Sequence, residues 1–280
     1  MDKQLTPSVP VYECDASESP FPYAFKDLAA SLRHPELVYA LIRTGFLQKY
    51  TSVLSGVFWI TLTTLLIVTG LALLYGEVFG AERVSYMPYV AGGIIIWGLI
   101  ASLLNDGAGV FIAASGVYGQ IPIPKSVFVM RTVGIAAIAF VIKLSVFAGV
   151  VFYVGLQPSL QSVGFAFLGL LLALWTGFWF TLIWGTLGAR FRDIPVMTNA
   201  FVTIAFFATP VFWQPERLGN YRWIVDFNPL HHFINTMRGP LLGLDGVAVS
   251  FYWSLGTAAA TTVLGLIVYG LFARRLTYWN

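Results

Sequence analysis

Charge is what this chain has least of. Asp, Glu, Lys and Arg together make up 10% of its 280 residues, against about 25% in a typical soluble domain. That is too little charge for a soluble enzyme or a disordered tail, and composition also excludes collagen, coiled coils and disulfide scaffolds. The net charge of +3 is small and scattered, which excludes a nucleic-acid partner. One cysteine, Cys14, lies in a polar tail and reads as a reduced bystander, since it has no internal partner. No HExxH helix, Cys/His metal cluster or GxSxG elbow is present. A phosphate-cradling loop is missing too, because the Lys125-Ser126 pair follows Pro124 rather than a glycine. What is there is apolar: 58% hydrophobic residues, 16% aromatic and a mean hydropathy of +0.77. These values describe an integral membrane protein.

A span needs roughly 20 mostly apolar residues. Six stretches qualify: 53–75, 88–104, 127–154 (interrupted by Arg131 and Lys143), 160–187, 194–213 and 247–273. Between Lys143 and Arg190 no charged residue occurs, so Gln157, Pro158 and Gln161 mark a very short turn between antiparallel spans three and four. Lys and Arg set the orientation. With both termini inside, the inner segments hold eleven and the outer loops four, Lys143 being left out as intramembrane. The expectation is an all-α, multi-pass protein with cytoplasmic N and C termini. Residues 1–22 are polar, with no basic-then-apolar leader, and read as a disordered cytoplasmic tail. The transmembrane domain is 53–280.

Residues 23–52 form the main cytoplasmic element. Phe25, Leu28 and Leu32 share one helical face, His34-Pro35-Glu36 breaks and restarts the helix, and Val38, Leu41, Ile42 and Phe46 continue an apolar stripe. This suits an amphipathic helix lying in the membrane interface. The inner loop after span two runs from Asn105-Asp106 through a run of small residues to Ile121-Pro122-Ile123-Pro124-Lys125. A short, tightly packed helix ended by prolines fits it. The inner loop after span four holds Arg190, Arg192 and Asp193, which fit either a charge network or plain positive-inside anchoring. All inner loops are too short for a nucleotide-binding domain.

The outer stretch 209–245 is aromatic and apolar, yet broken by Pro, Gly and isolated charges. Helical pieces that re-enter the outer leaflet fit it best, and irregular backbone at that depth survives only inside protein or a watery cavity. It is a candidate gate. His231 and His232, being adjacent, point apart on a helix and read as packing or hydrogen-bonding residues rather than metal ligands. Lys143, near the middle of span three, costs roughly 2.5–3.5 kcal/mol or more there. It either lines a hydrated path and meets an anionic substrate, or snorkels or pairs with a carbonyl. No acid lies inside a span to pair with it.

These residues resemble a family: the permease subunit of type-2 ABC exporters for bacterial cell-surface polysaccharides such as O-antigen, capsule and teichoic acid. The run ALIRTGFLQKYTSVLSGVFW is similar to the family's approach to span one through Arg43, Lys49, Tyr50, Leu54, Gly56 and Trp59, with Thr44 where an Asp is usual and Ser55 intruding. IPIPKSVFVMR resembles its proline stretch before span three, and Arg190-Phe191-Arg192-Asp193-Ile194 its element after span four. The most specific match is Thr209-Pro210, Trp213, Asn228-Pro229-Leu230, Arg238 and Pro240-Leu241-Leu242-Gly243, in that order.

The resemblance implies a homodimer of permeases with two copies of a separate ABC ATPase, which alone would bind ATP-Mg; this chain would bind no cofactor and be no enzyme. It implies the bacterial inner membrane, and a lipid-linked, O-antigen-like polysaccharide moving through a channel at the dimer interface. Arg43, Lys49 and Tyr50 would meet the lipid pyrophosphate at the cytoplasmic entrance. The interface helix with Asp106, Pro122, Pro124, Lys125, Arg190, Arg192 and Asp193 would take up ATPase motion. Pro210, Trp213, Asn228, Pro229 and Arg238 would belong to the external gate, and Lys143 is the channel candidate. Two other classes compete. A gradient-driven transporter or flippase of another glycoconjugate or lipid should carry acidic or unwound-helix sites at mid-membrane, and none is legible. A membrane-bound transferase should carry a polar catalytic cluster, and only Arg192-Asp193 is of that kind.

Overall fold

The computed structural model describes residues 20–50, 56–79, 83–118 and 123–279. Among these every regular element is helical. The chain opens with α1 (Pro20–Arg33) and α2 (Pro35–Tyr50), parted at His34 where Pro35 starts the second helix. Long apolar helices follow: α3 (Gly56–Phe79), α4 (Arg83–Ala108), then the short α5 (Val110–Tyr118), α6 (Ser126–Val154) and α7 (Leu160–Arg190). After α8 (Ile194–Ala208) come a 3-10 turn (Pro215–Tyr221), α9 (Trp223–Asp226), α10 (Pro229–Leu242) and α11 (Val247–Phe272).

Five of these helices are long and apolar enough to cross a membrane: Gly56–Val78, Tyr86–Ala108, Ser126–Val154, Leu160–Arg190 and Val247–Phe272. The expected fifth span, 194–213, is represented by α8 alone. Its 15 residues reach roughly 22 Å, short of the roughly 30 Å hydrocarbon layer. The helix stops at Thr209, whose successor Pro210 brings no N–H to continue it. Helix α1 begins at Pro20, so residues 20–22 belong to it rather than to the tail. Residues 1–19 lie outside the described residues, as do 51–55 and the loop position Pro122.

Helix α4 is the axis of the bundle. It packs against α3, α6, α7, α8 and α10, and its Val90, Ala91, Ile95 and Leu99 are buried. The largest core cluster forms around it, with Phe140, Val202, Val211, Phe233, Ile234 and Met237 contributed by the surrounding elements. A second cluster lies at the other end, where Tyr23, Phe111, Val129, Leu182 and Tyr269 meet. Helices α3 and α11 turn much of their apolar surface outward, with Leu66, Leu74, Val249 and Leu255 exposed. Such faces suit lipid or a second polytopic chain rather than water.

Turns follow local chemistry. Gly155 closes α6 in the left-handed region, its N–H donating to Phe152 O at 3.2 Å. Ser159 starts α7 by accepting from Ser162 N at 3.1 Å. Helices α6 and α7 do touch, yet each packs more extensively elsewhere: α6 on α4 and α2, α7 on α11, α10 and α4.

Candidate functional site

The stretch 209–245 folds back on the bundle. Helix α10 lies against α4, α7 and α11 and buries His232 through Gly239. Asn228 starts it: its Oδ1 accepts from Leu230 N at 2.9 Å, and Pro229 occupies the first turn, where no N–H is missed. The same side chain donates from Nδ2 to Thr209 Oγ1 at 2.9 Å. Gly243, with φ of 65°, ends α10 in the left-handed region.

Arg238 is 1% exposed. Its Nη1 donates to Val211 O at 2.9 Å and Tyr89 O at 3.2 Å, and its Nη2 to Pro210 O at 3.0 Å. The guanidinium lies 3.6 Å from the centroid of the Tyr89 ring. Tyr89 Oη donates to Trp213 O at 2.9 Å, and Tyr86 Oη to Phe212 O. Four consecutive carbonyls, those of Pro210 to Trp213, are therefore all met by side chains of α4 and α10. This is what non-helical backbone inside an apolar bundle requires. The structure thus brings Pro210, Trp213, Asn228, Pro229 and Arg238 into one knot. Sequence reasoning missed its α4 half, Tyr86, Tyr89 and Gly93, although the adjacent glycines Gly92-Gly93 in a span were a usable signal.

Gly93 is where α4 and the 209–213 turn touch. A methyl group there would sit 1.9 Å from Val211 O and 2.7 Å from Arg238 Nη1. Gly93→Ala is expected to force the turn off α4 and destabilise by about 1–3 kcal/mol. Thermal unfolding of the detergent-solubilised protein, compared with Gly109→Ala, checks it. Gly109 has open space around its Cα.

His232 is buried and has both ring nitrogens engaged, Nδ1 with Ser250 Oγ at 3.1 Å and Nε2 with Asp226 O at 2.8 Å; its ring stacks on Trp253 at 5.2 Å. It ties α9, α10 and α11 together.

At the opposite end the organising residue is Asp27 of α1, which the sequence did not single out. It is fully buried. Its carboxylate accepts from Lys125 N at 2.8 Å, Ser126 N at 2.9 Å and Tyr269 Oη at 2.7 Å. It thereby caps the N-terminus of α6 from 98 residues away. Ser31 Oγ lies 2.9 Å from Ser126 Oγ. Lys125 is also buried and donates from Nζ to Ala273 O at 2.8 Å. Pro124 is buried beside it.

The remaining sequence candidates fall in three places. Lys49 pairs with Asp106 at 2.6 Å, with Ser102 Oγ donating to the same carboxylate at 2.7 Å. Residues read for separate roles thus meet between α2 and α4. Both side chains are more than a third exposed, so the pair contributes about 0–1 kcal/mol. Either single reversal, Lys49→Asp or Asp106→Lys, should loosen α2 from α4, and the double exchange should restore it. Disulfide trapping between cysteines placed on the two helices reads this out. Tyr50 packs at a tilt against Phe46, ring centroids 4.9 Å apart, and Arg43 is exposed. Arg190, Arg192 and Asp193 are exposed at the α7–α8 turn, with no ion pair joining them among the described residues; Arg190 lies over Phe191 and Trp279. Lys143 stands apart on α6, facing Gly98 of α4.

An all-helical bundle of long apolar helices, with broken backbone folded into it and sealed by a buried arginine, defines a polytopic membrane protein. The chain belongs to the ABC-2 type transporter family, whose description matches residues 36–242. It is similar to two O-antigen export system permease proteins, RfbA, of Klebsiella pneumoniae. It is 24% and 23% identical to them over 238 residues, covering 84% of this chain and 91% of each relative.

Proposed function

We propose that the chain is the membrane-embedded permease of an ATP-driven exporter that carries a lipid-linked, O-antigen-like polysaccharide out of the cytoplasm of a bacterium. The observation that carries this reading is the similarity to O-antigen export permeases along 84% of the chain. Two of the motif residues behind the resemblance, Asn228 and Arg238, hold the turn at 209–213. A polyhydroxylated polymer cannot enter hydrocarbon without losing its hydrogen bonds to water, so it needs a conduit. In this reading the channel lies between two copies of the chain, and the exposed apolar faces of α3 and α11 supply the contact. In this reading α8 with its following turn completes a sixth crossing, both termini are cytoplasmic, and 209–245 re-enters the membrane as the external gate. A separate ATPase, two copies per dimer, binds ATP-Mg and pushes on α1, α5 and the α7–α8 turn. Arg43 and Lys49, with Tyr50 beside them, meet the pyrophosphate of the lipid carrier at the inner entrance.

Deleting the gene in its native host, with and without plasmid-borne copies, tests the reading. Loss of surface polysaccharide, with lipid-linked polymer accumulating inside, is the expected result. Affinity purification should also bring down an ATPase in stoichiometric amount. Unchanged surface polysaccharide would sink the cargo assignment, and a chain that purifies alone from gentle detergent would sink the ATP-driven one. Restoration by the wild-type copy but not by an Arg43→Glu/Lys49→Glu double variant is expected if the entrance is placed correctly.

A further inference from the structure

Helix α2 packs on the N-terminal part of α6 through two glycines. A methyl group on Gly134 of α6 would sit 2.4 Å from Ile42 Cδ1, which is apolar packing. A methyl group on Gly45 of α2 would sit 2.5 Å from Arg131 Nε and 2.8 Å from its Nη2. Here bare backbone makes room for a guanidinium. Arg131 Nε is buried without an acceptor, and the side chain has no hydrogen-bond or ion-pair partner among the described residues. A guanidinium offers five N–H donors in a planar fork. Leaving that fork unmatched at the edge of an apolar bundle is costly, and such residues mark ion or substrate paths. Its depth is informative. Arg131 is the sixth of the 29 residues of α6, roughly 7–8 Å along the helix from its start. All 29 reach roughly 43 Å, about the thickness of a bilayer with its headgroups. The fork therefore lies at the level where headgroups meet hydrocarbon. Lys49 follows Gly45 by four residues, so the two share a face of α2. Arg131 and Lys49 thus meet α2 about one turn, roughly 5–6 Å, apart. Arg43 precedes Gly45 by two residues and points roughly 200° round the helix, away from this seam. Asp106 pairs with Lys49 and no acid pairs with Arg131 among the described residues, so the seam holds surplus positive charge.

We infer that Arg131 is an anion-binding residue of the inner entrance, taking with Lys49 the two phosphates of a lipid-borne diphosphate in the α2–α6 seam. The inference rests on the proposed cargo class. Charge complementarity argues the occupant. Two oxygens of one phosphate match the arginine fork bidentately, and a second cation one turn along α2 matches a second phosphate. Bulk phospholipid, with one phosphodiester, fills only half of that arrangement. Lys49 is available to the ligand because its pair with Asp106 is more than a third exposed on both sides and so is weak. Gly45 gains a purpose as well, since a side chain there would occupy the space in which the fork lies.

The test is binding of ³²P-labelled polyprenyl pyrophosphate to the full-length chain in phosphatidylcholine nanodiscs. Arg131→Met should weaken binding about tenfold or more. Arg131→Lys, which keeps the charge and loses the fork, should recover only part of it. Gly45→Ala displaces the guanidinium without removing it and should also weaken binding. Gly134→Ala strains the same helix pair at Ile42 rather than at Arg131, and should stay within about threefold of wild type. On the wild-type chain, a polyprenyl pyrophosphate with a photoreactive group at its head should label α2 and the first turns of α6, a readout independent of whether any variant folds. Binding unchanged by Arg131→Met, or labelling elsewhere, overturns the assignment and leaves the cargo reading standing. Equal losses in Gly45→Ala and Gly134→Ala make Arg131 a packing residue and overturn it too. Competition by phosphatidylglycerol as strong as by unlabelled polyprenyl pyrophosphate makes the seam a bulk-headgroup site, with the same consequence. No binding by the wild-type chain removes both the Arg131 site and the lipid-pyrophosphate cargo.

Discussion

Replacing Arg238 by Met is expected to collapse the 209–245 fold-back and abolish transport. The guanidinium holds three carbonyls from two separate stretches of chain, those of Tyr89, Pro210 and Val211. Truncation leaves Val211 O without its donor and Pro210 O with only the long contact from Tyr89 Oη at 3.5 Å, at about 1–3 kcal/mol each before relaxation, while Tyr89 O keeps its partner inside α4. Relaxation lowers the sum, and a net loss of about 3–5 kcal/mol is expected. Arg238→Lys should fail almost as badly. A single ammonium cannot reproduce a planar fork that serves three acceptors and also stacks on Tyr89 at 3.6 Å. Arg222 is the internal control. It pairs with Asp226 at 3.7 Å with both side chains over half exposed, so Arg222→Met should cost no more than about 1 kcal/mol. Thermal unfolding in detergent and surface polysaccharide in the host should separate the two arginines. An Arg238→Met protein that unfolds and exports like wild type would remove the arginine as the seal.

The contrast between these two arginines also marks where sequence reasoning stops. Both stand in the same broken, aromatic stretch, and their types are identical. The family pattern singled out Arg238, Pro210, Trp213, Asn228 and Pro229, but not what they touch. Arg238 and Trp213 meet Tyr89 of α4, 149 residues from Arg238, inside a run that reads only as an apolar span. Tyr86 and Tyr89 are ordinary residues of such a run, and Gly93 stands out only as one of two adjacent glycines. Only docking of α10 onto α4 turns them into a site. The long helices were legible because a continuous apolar run has one stable answer in a bilayer. The 194–213 run was less so: hydropathy continues smoothly past Pro210, but the backbone leaves the helix at Thr209 and gives its carbonyls to side chains instead. Asp27 was illegible for the opposite reason. One acid on a short amphipathic helix looks like its solvated face, and burial depends on where α6 begins.

Asp27 therefore carries the second large expectation. Its carboxylate meets two backbone N–H groups at the start of a 29-residue helix and the hydroxyl of Tyr269. An ionised acceptor at a helix N-terminus is favoured by the hydrogen bonds and by the aligned peptide dipoles together. Asp27→Ala should cost about 3–5 kcal/mol, since three donors are left buried at once. Asp27→Asn is more informative. It keeps the volume but puts an NH₂ group against a donor, so one of the two backbone N–H bonds must go, at about 1–3 kcal/mol. Asp27 is also the point where α1 joins both α6 and α11. Under the proposed function α1 passes ATPase motion to the bundle, and Asp27→Asn should then loosen the linkage more than the fold. ATP hydrolysis by the assembled complex should persist, while polymer export falls about tenfold. Parallel loss of both activities would reduce Asp27 to a structural cap. Tyr269→Phe deletes only the hydroxyl donor and should fall between wild type and Asp27→Asn. If it instead matched Asp27→Ala, the backbone cap on α6 would not be the dominant contact, and the force would run through α11.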